Sequence, residues 1–126
     1  MPKTVPHLHG VPPSDYPFSQ VVEANGFVFL AGQVGSAPGG HGAVPGGIEA
    51  ETRAMLYNVG QLLEAAGLGF GDVVKCTVYL VDFSEFAAMN AVYREYFPTE
   101  PPTRATVGVT ALAADFRIEI EDLATR

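Results

Sequence analysis

Tryptophan is absent from these 126 residues, cysteine occurs once, and lysine and arginine together number only seven. With Cys76 alone, no disulfide can form within the chain, so the fold must rest on its core. Seven bases against fourteen acids give 7 − 14 = −7, a sign that repels a phosphate backbone. The bases (Lys3, Arg53, Lys75, Arg94, Arg104, Arg117 and Arg126) are scattered with no two adjacent, so nucleic-acid binding is not expected. Long apolar runs are also missing. The longest, Phe27 to Ala31, falls far short of the ~20 residues that cross a bilayer. The Met1-Pro2-Lys3 opening lacks the apolar stretch of a secretory signal, and these absences together predict a cytoplasmic protein away from membranes.

Motif absences narrow the chemistry. There is no G-x-x-x-x-G-K-[ST] phosphate loop, no G-x-S-x-G nucleophile elbow and no C-x-x-C pair. His7 and His9 could share one side of an extended arm, but a structural metal site takes about four ligands, so no metal is expected.

What is present is apolar: 48% hydrophobic and 17% charged, the balance of one globular domain over residues 1–126. A chain of this size hides roughly two-thirds of its unfolded surface, enough for a core without staples. Residues 1–19 carry Pro2, Pro6, Pro12, Pro13 and Pro17, which predicts an extended arm lying over the domain. Asn25-Gly26 between Val21–Ala24 and Phe27–Ala31 predicts a hairpin. Glycine density over 35–47 predicts a mobile loop that acts as a lid near the site.

Apolar residues at Ile48, Met55, Leu56, Val59, Leu62, Leu63 and Ala66 predict a one-sided helix closed by Gly67. A β-branched run predicts a strand over Val73–Val81, after which Ser84 caps a helix that Pro98 ends. Strands over Arg104–Thr110 and Phe116–Leu123 complete the order β-β-α-β-α-β-β, an α+β domain with both helices on one face of a single sheet. Alternation puts Val74, Cys76, Val78, Leu80, Ala105, Val107, Val109, Phe116, Ile118 and Ile120 toward the helices. It puts Val73, Thr77, Tyr79, Val81, Arg104, Thr106, Arg117, Glu119 and Glu121 on the other face, which is too apolar for open solvent and too charged for a monomer core. An oligomer would cover such a face, leaving polar groups in a cleft between subunits.

Arg104 is the leading candidate for chemistry, since a guanidinium at such a cleft grips a carboxylate with two parallel hydrogen bonds. The pattern equally allows a plain ion pair with Glu119 or Glu121 on a neighbouring strand. Cys76 is expected to sit in the core as a small hydrophobe, not as a nucleophile.

Tyr16-Pro17-Phe18-Ser19-Gln20, Ala31-Gly32-Gln33, Gly71-Asp72-Val73-Val74-Lys75, Phe86 to Tyr93, Pro102-Thr103-Arg104 and Ile118-Glu119-Ile120-Glu121 stand in this order along about residues 16 to 124. In this the chain resembles the reactive intermediate deaminase family, Rid or YjgF, formerly endoribonuclease L-PSP. The resemblance implies a chorismate-mutase-like α+β fold on a mixed sheet, a homotrimer with a central barrel, and a cleft at each subunit interface. It also implies cofactor-free hydrolysis of enamines and imines such as 2-aminoacrylate and 2-iminopropionate to 2-keto acids and ammonia. On that resemblance Arg104 binds the substrate carboxylate, Glu119 handles the water, and Phe18, Gly32, Asn90 and Thr106 line the cleft, the last through its backbone carbonyl.

The chain departs from the best-known members at three positions. Phe18 stands for a usual tyrosine, Ala31 for a serine and Thr106 for a cysteine, and the first two remove hydroxyls worth roughly 1 kcal/mol each as hydrogen-bond partners. A bulkier or less polar substrate is therefore expected, and a second reading stays open: a non-catalytic protein that senses a small carboxylate in the same cleft. Ribonuclease activity, the third, fits poorly with the net charge of −7.

Overall fold

The computed structural model describes residues 2–126. The elements are β1 (Val21–Ala24), β2 (Phe27–Val34), α1 (Gly47–Ala65), β3 (Val73–Leu80), α2 (Phe86–Tyr96), β4 (Thr103–Gly108) and β5 (Ile118–Thr125), in the expected order. They form one mixed sheet ordered β1-β2-β5-β3-β4, with both helices against one face. Only β3 and β4 run parallel, as a β-α-β crossover through α2 requires.

Local chemistry accounts for most of these elements. Asn25 and Gly26 both take positive φ, 53° and 81°, which the turn of the β1–β2 hairpin demands. Met55, Leu56, Val59 and Leu63 are fully buried on one stripe of α1, and Met89, Val92 and Tyr93 are buried on the matching stripe of α2. The proline-rich arm does lie over the domain. Thr4 pairs with Glu23 through two 2.8 Å backbone bonds, covering the outer edge of β1, and Leu8 is buried.

One buried acid ties the layers together. Glu51 sits in the apolar stripe of α1, and its carboxylate accepts the backbone N–H of Arg117 at 2.6 Å and of Ile118 at 3.3 Å, fixing the start of β5. Gly35 permits this approach, because a Cβ there would strike the backbone carbonyl of Glu51. Glu51→Ala would strand both N–H donors, so urea unfolding should show a loss of about 2–4 kcal/mol, and Glu51→Gln a smaller loss because its amide oxygen still accepts. Parent-like stability for Glu51→Ala would contradict this role.

The structure corrects several expectations of detail. A bulge between Val73 and Lys75 turns Val73 into the core and leaves Val74 exposed, the reverse of simple alternation. β4 is likewise inverted. Its register with β3 sets Arg104 beside Cys76 and Thr106 beside Val78, so these two residues share the helix-facing side and Ala105 and Val107 face away. Ser84 does not cap α2. Asp82 instead accepts the Ser84 N–H (3.0 Å) and hydroxyl (2.7 Å) in a short 3-10 turn ahead of the helix.

Arg117 precedes β5 and donates to Glu85 at 2.8 Å. The glycine-rich loop is anchored at both ends. Val44 N–H bonds to Gly35 O at 2.9 Å, Asn58 holds Ser36 O at 2.9 Å, and Ala43 N–H reaches Asp115 at 3.1 Å. Between these anchors residues 37–42 are exposed.

Candidate active site

Arg104 is the second residue of β4, at the free edge of the sheet, where α2 crosses over it. Its guanidinium carbon lies 4.6 Å from the centre of the Tyr93 ring and 5.6 Å from that of Phe86. These aromatics stand seven residues apart, two turns along the same face of α2. Contact with ring faces holds a planar cation without neutralising it. Among the described residues Arg104 makes no ion pair, so neither Glu119 nor Glu121 is its partner.

The phenol of Tyr79 donates to Glu121 on the opposite face. Beside Arg104 opens a cleft of about 400 Å³ that Asn90, Tyr93 and Pro102 also line. The guanidinium thus keeps its donors for a ligand. Tyr93 and Phe86 were not singled out from the sequence as parts of the site, although their shared helical face was visible there.

Glu119 lies on the other side of the sheet. Its neighbours in register, Tyr79 on β3 and Val34 on β2, bracket it near the centre, and its carboxylate packs over Gly32 where any side chain would stand. Burial, and secondarily the charge of Glu121, raises its pKa above the ordinary carboxylate value. A carboxylate so placed is a better base once ionised. Because a methyl at position 32 would meet the flexible end of Glu119, Gly32→Ala should displace the carboxylate at little cost in stability. Turnover is expected to fall about tenfold or more with an unchanged melting temperature; unaltered turnover would separate Gly32 from the reacting centre.

The six residues singled out from the sequence therefore fall into separate groups. Arg104, Asn90 and Thr106 gather at the β4 edge on the helix side, where the Thr106 hydroxyl is buried without a partner. Glu119 and Gly32 gather on the open face. Phe18 is exposed on the N-terminal arm, two residues before Gln20, whose carbonyl accepts the Ala31 N–H at 2.8 Å. Within one chain the sheet itself separates the cation from the acid. The open face carries exposed Phe27, Phe29, Val74 and Val107 around its charged residues.

His7 and His9 contact each other edge to face at 5.3 Å, and among the described residues no three His, Cys, Asp or Glu gather as metal ligands. Among the described residues no helix is long and apolar enough to cross a membrane.

Comparison with known proteins adds a second line of evidence. Residues 10–126 match the family model described as endoribonuclease L-PSP. A RutC family protein of Pyrococcus horikoshii is 46% identical over 108 residues, covering 86% of each chain. A 2-iminobutanoate/2-iminopropanoate deaminase of Capra hircus is 42% identical over 110 residues, covering 87% of this chain and 80% of its own. Among solved structures, Escherichia coli TdcF with bound serine superposes with a TM-score of 0.83 at 36% identity, over 91% of this chain and 92% of that one.

Proposed function

This chain belongs to the reactive intermediate deaminase family, Rid or YjgF, also called endoribonuclease L-PSP, and on that premise we propose that it hydrolyses small enamines and imines bearing a carboxylate to 2-keto acids and ammonia. The observation that carries the proposal is Arg104, held on Tyr93 and Phe86 beside an open cleft with no acidic partner. A guanidinium kept in that state suits a ligand carboxylate. A neighbour of this fold that holds serine, itself a small amino-acid carboxylate, supports the same ligand class.

The separation of Arg104 and Glu119 by the sheet leads to the second part of the proposal. The complete cleft forms between copies, with Arg104 and Asn90 of one subunit facing Glu119 and Gly32 of the next, in a homotrimer that covers the exposed apolar residues of the open face. Arg104 would fix the substrate carboxylate and Glu119 would take a proton from water as its oxygen attacks the imine carbon. The C=N electron pair moves to nitrogen, which takes the proton from Glu119 to give a carbinolamine; its hydroxyl proton then passes to nitrogen as the C=O bond forms and the C–N bond breaks, releasing a 2-keto acid and ammonia. A protonated imine is already electrophilic, so orientation and a placed water supply much of what is needed, without a cofactor.

Phe18 and Ala31, which lack hydroxyls, favour a second reading in which the same cleft binds a carboxylate without turnover. Ammonia release from 2-iminopropionate, generated in place by an amino-acid oxidase, decides between them. Turnover above the spontaneous rate supports the deaminase; pyruvate binding without turnover supports the sensor. Light scattering that finds a 13.3 kDa monomer at micromolar concentration would remove the shared cleft.

A further inference from the structure

We propose that Asp122, one strand beyond Cys76 from Arg104, tunes carboxylate binding at Arg104, its negative charge weakening the grip on an anionic ligand; the inference rests on the ligand class proposed above and adds a regulator to that site. Asp122 on β5 is paired with Cys76 on β3, and Cys76 with Arg104 on β4, so the three side chains form one transverse row on the helix-facing side. At the usual strand spacing Asp122 and Arg104 stand roughly 10 Å apart at the backbone.

Asp122 is 5% exposed. It accepts the Cys76 thiol at 2.9 Å through Oδ1, while Oδ2 is buried with no partner. A thiol is a weak donor, and one such bond leaves a buried carboxylate poorly compensated. Burial accordingly pushes the Asp122 carboxyl up to about 6, even with the thiol bond opposing the shift.

Few other charged groups face it. β2 contributes Leu30, β3 contributes Cys76, and α2 contributes Tyr93, whose phenol is buried without a partner and kept neutral by burial. The buried acid of α1, Glu51, is engaged with the backbone at the far end of β5. Glu121 precedes Asp122 on the opposite face. The cation of the row is Arg104, and an ionised Asp122 draws on the same positive charge that an incoming carboxylate needs.

Repulsion between ligand and Asp122 through partly desolvated protein at that separation is worth a several-fold change in affinity. By reciprocity, a bound carboxylate must hold the Asp122 proton more tightly.

The test titrates the intact protein with pyruvate, a stable carboxylate that stays ionised over the range used, at about pH 5 and about pH 8. Glu119 also titrates high, so parent and Asp122→Asn are both compared on a Glu119→Gln background. The dissociation constant with Asp122 present should rise about three- to tenfold from the lower to the higher pH, while the Asp122→Asn protein keeps the tighter value at both. Equal pH dependence in the two proteins overturns the proposal.

Carbon-13 NMR of the Asp122 carboxyl in the parent provides a measurement independent of that variant's folding. Saturating pyruvate should shift its titration upward, and an unmoved titration overturns the proposal. Arg104→Ala separates the two levels of inference. Parent-like pyruvate binding by that variant would overturn the Arg104 site and this regulator together; lost binding by the variant, together with an Asp122 titration in the parent that pyruvate does not move, would overturn the regulator alone.

Discussion

Arg104→Ala should lose at least about a hundredfold in kcat/KM toward 2-iminopropionate while remaining folded. Two charge-assisted hydrogen bonds to a carboxylate contribute about 1.5–3 kcal/mol each, and the lower sum already corresponds to that factor. Arg104→Lys keeps the charge but neither the two-point fork nor the guanidinium placed over the Tyr93 and Phe86 rings, so most of the affinity should go with it. Folding should survive both changes because Arg104 stands at the sheet edge and supports no ion pair. Steady-state kinetics with pyruvate as a competing ligand gives both numbers. Parent-rate deamination by a correctly assembled Arg104→Ala protein would refute the assignment of the cleft.

Glu119→Gln tests the other half of the site. The shape is kept and the proton acceptor is lost, so turnover should fall by about 10²–10⁴ while KM changes little. The pH profile adds a separate signature. A carboxylate whose pKa is raised becomes a base only as pH climbs through that raised value, so parent activity should rise across this acidic limb and the variant's should not. Turnover within a few-fold of the parent, with the limb retained, would assign the water to another group.

The parts of this molecule that could be read in advance are those specified by neighbouring residues. Asn25-Gly26 dictates its turn through its own backbone preferences, and the three-and-four spacing of α1 needs no knowledge of what it packs on. β4 shows the opposite case. Alternation separates Arg104 and Thr106 from Ala105 and Val107, but which pair faces inward depends on register with β3, set by residues nearly thirty positions away.

The bulge at Val73 and Val74 was hidden for a related reason, since two adjacent valines satisfy either face. Arg104 drew notice by its place on a strand and the roles of Arg104 and Glu119 came through family resemblance, but alternation set both on one face, and no periodicity could reveal that the sheet divides them. Cys76 was read correctly as buried, whereas its bond to Asp122 spans 46 positions of sequence and left no local mark. Glu51 did leave one: an acid three residues after Ile48 on an apolar stripe needs buried donors to meet it.

β4 is bonded along one edge only, and to a parallel neighbour, whereas β5 lies between β2 and β3. Parallel pairs are slightly weaker per residue, and detaching β4 leaves an antiparallel four-strand sheet behind. Its amides should therefore exchange with solvent through a partial opening well below the free energy of global unfolding, and those of β5 near the global limit. Arg104 thus belongs to a cheaply released foldon and Glu119 to the most protected part of the sheet. A ligand that grips Arg104 must draw β4 closed by mass action, so occupancy and strand docking become one equilibrium.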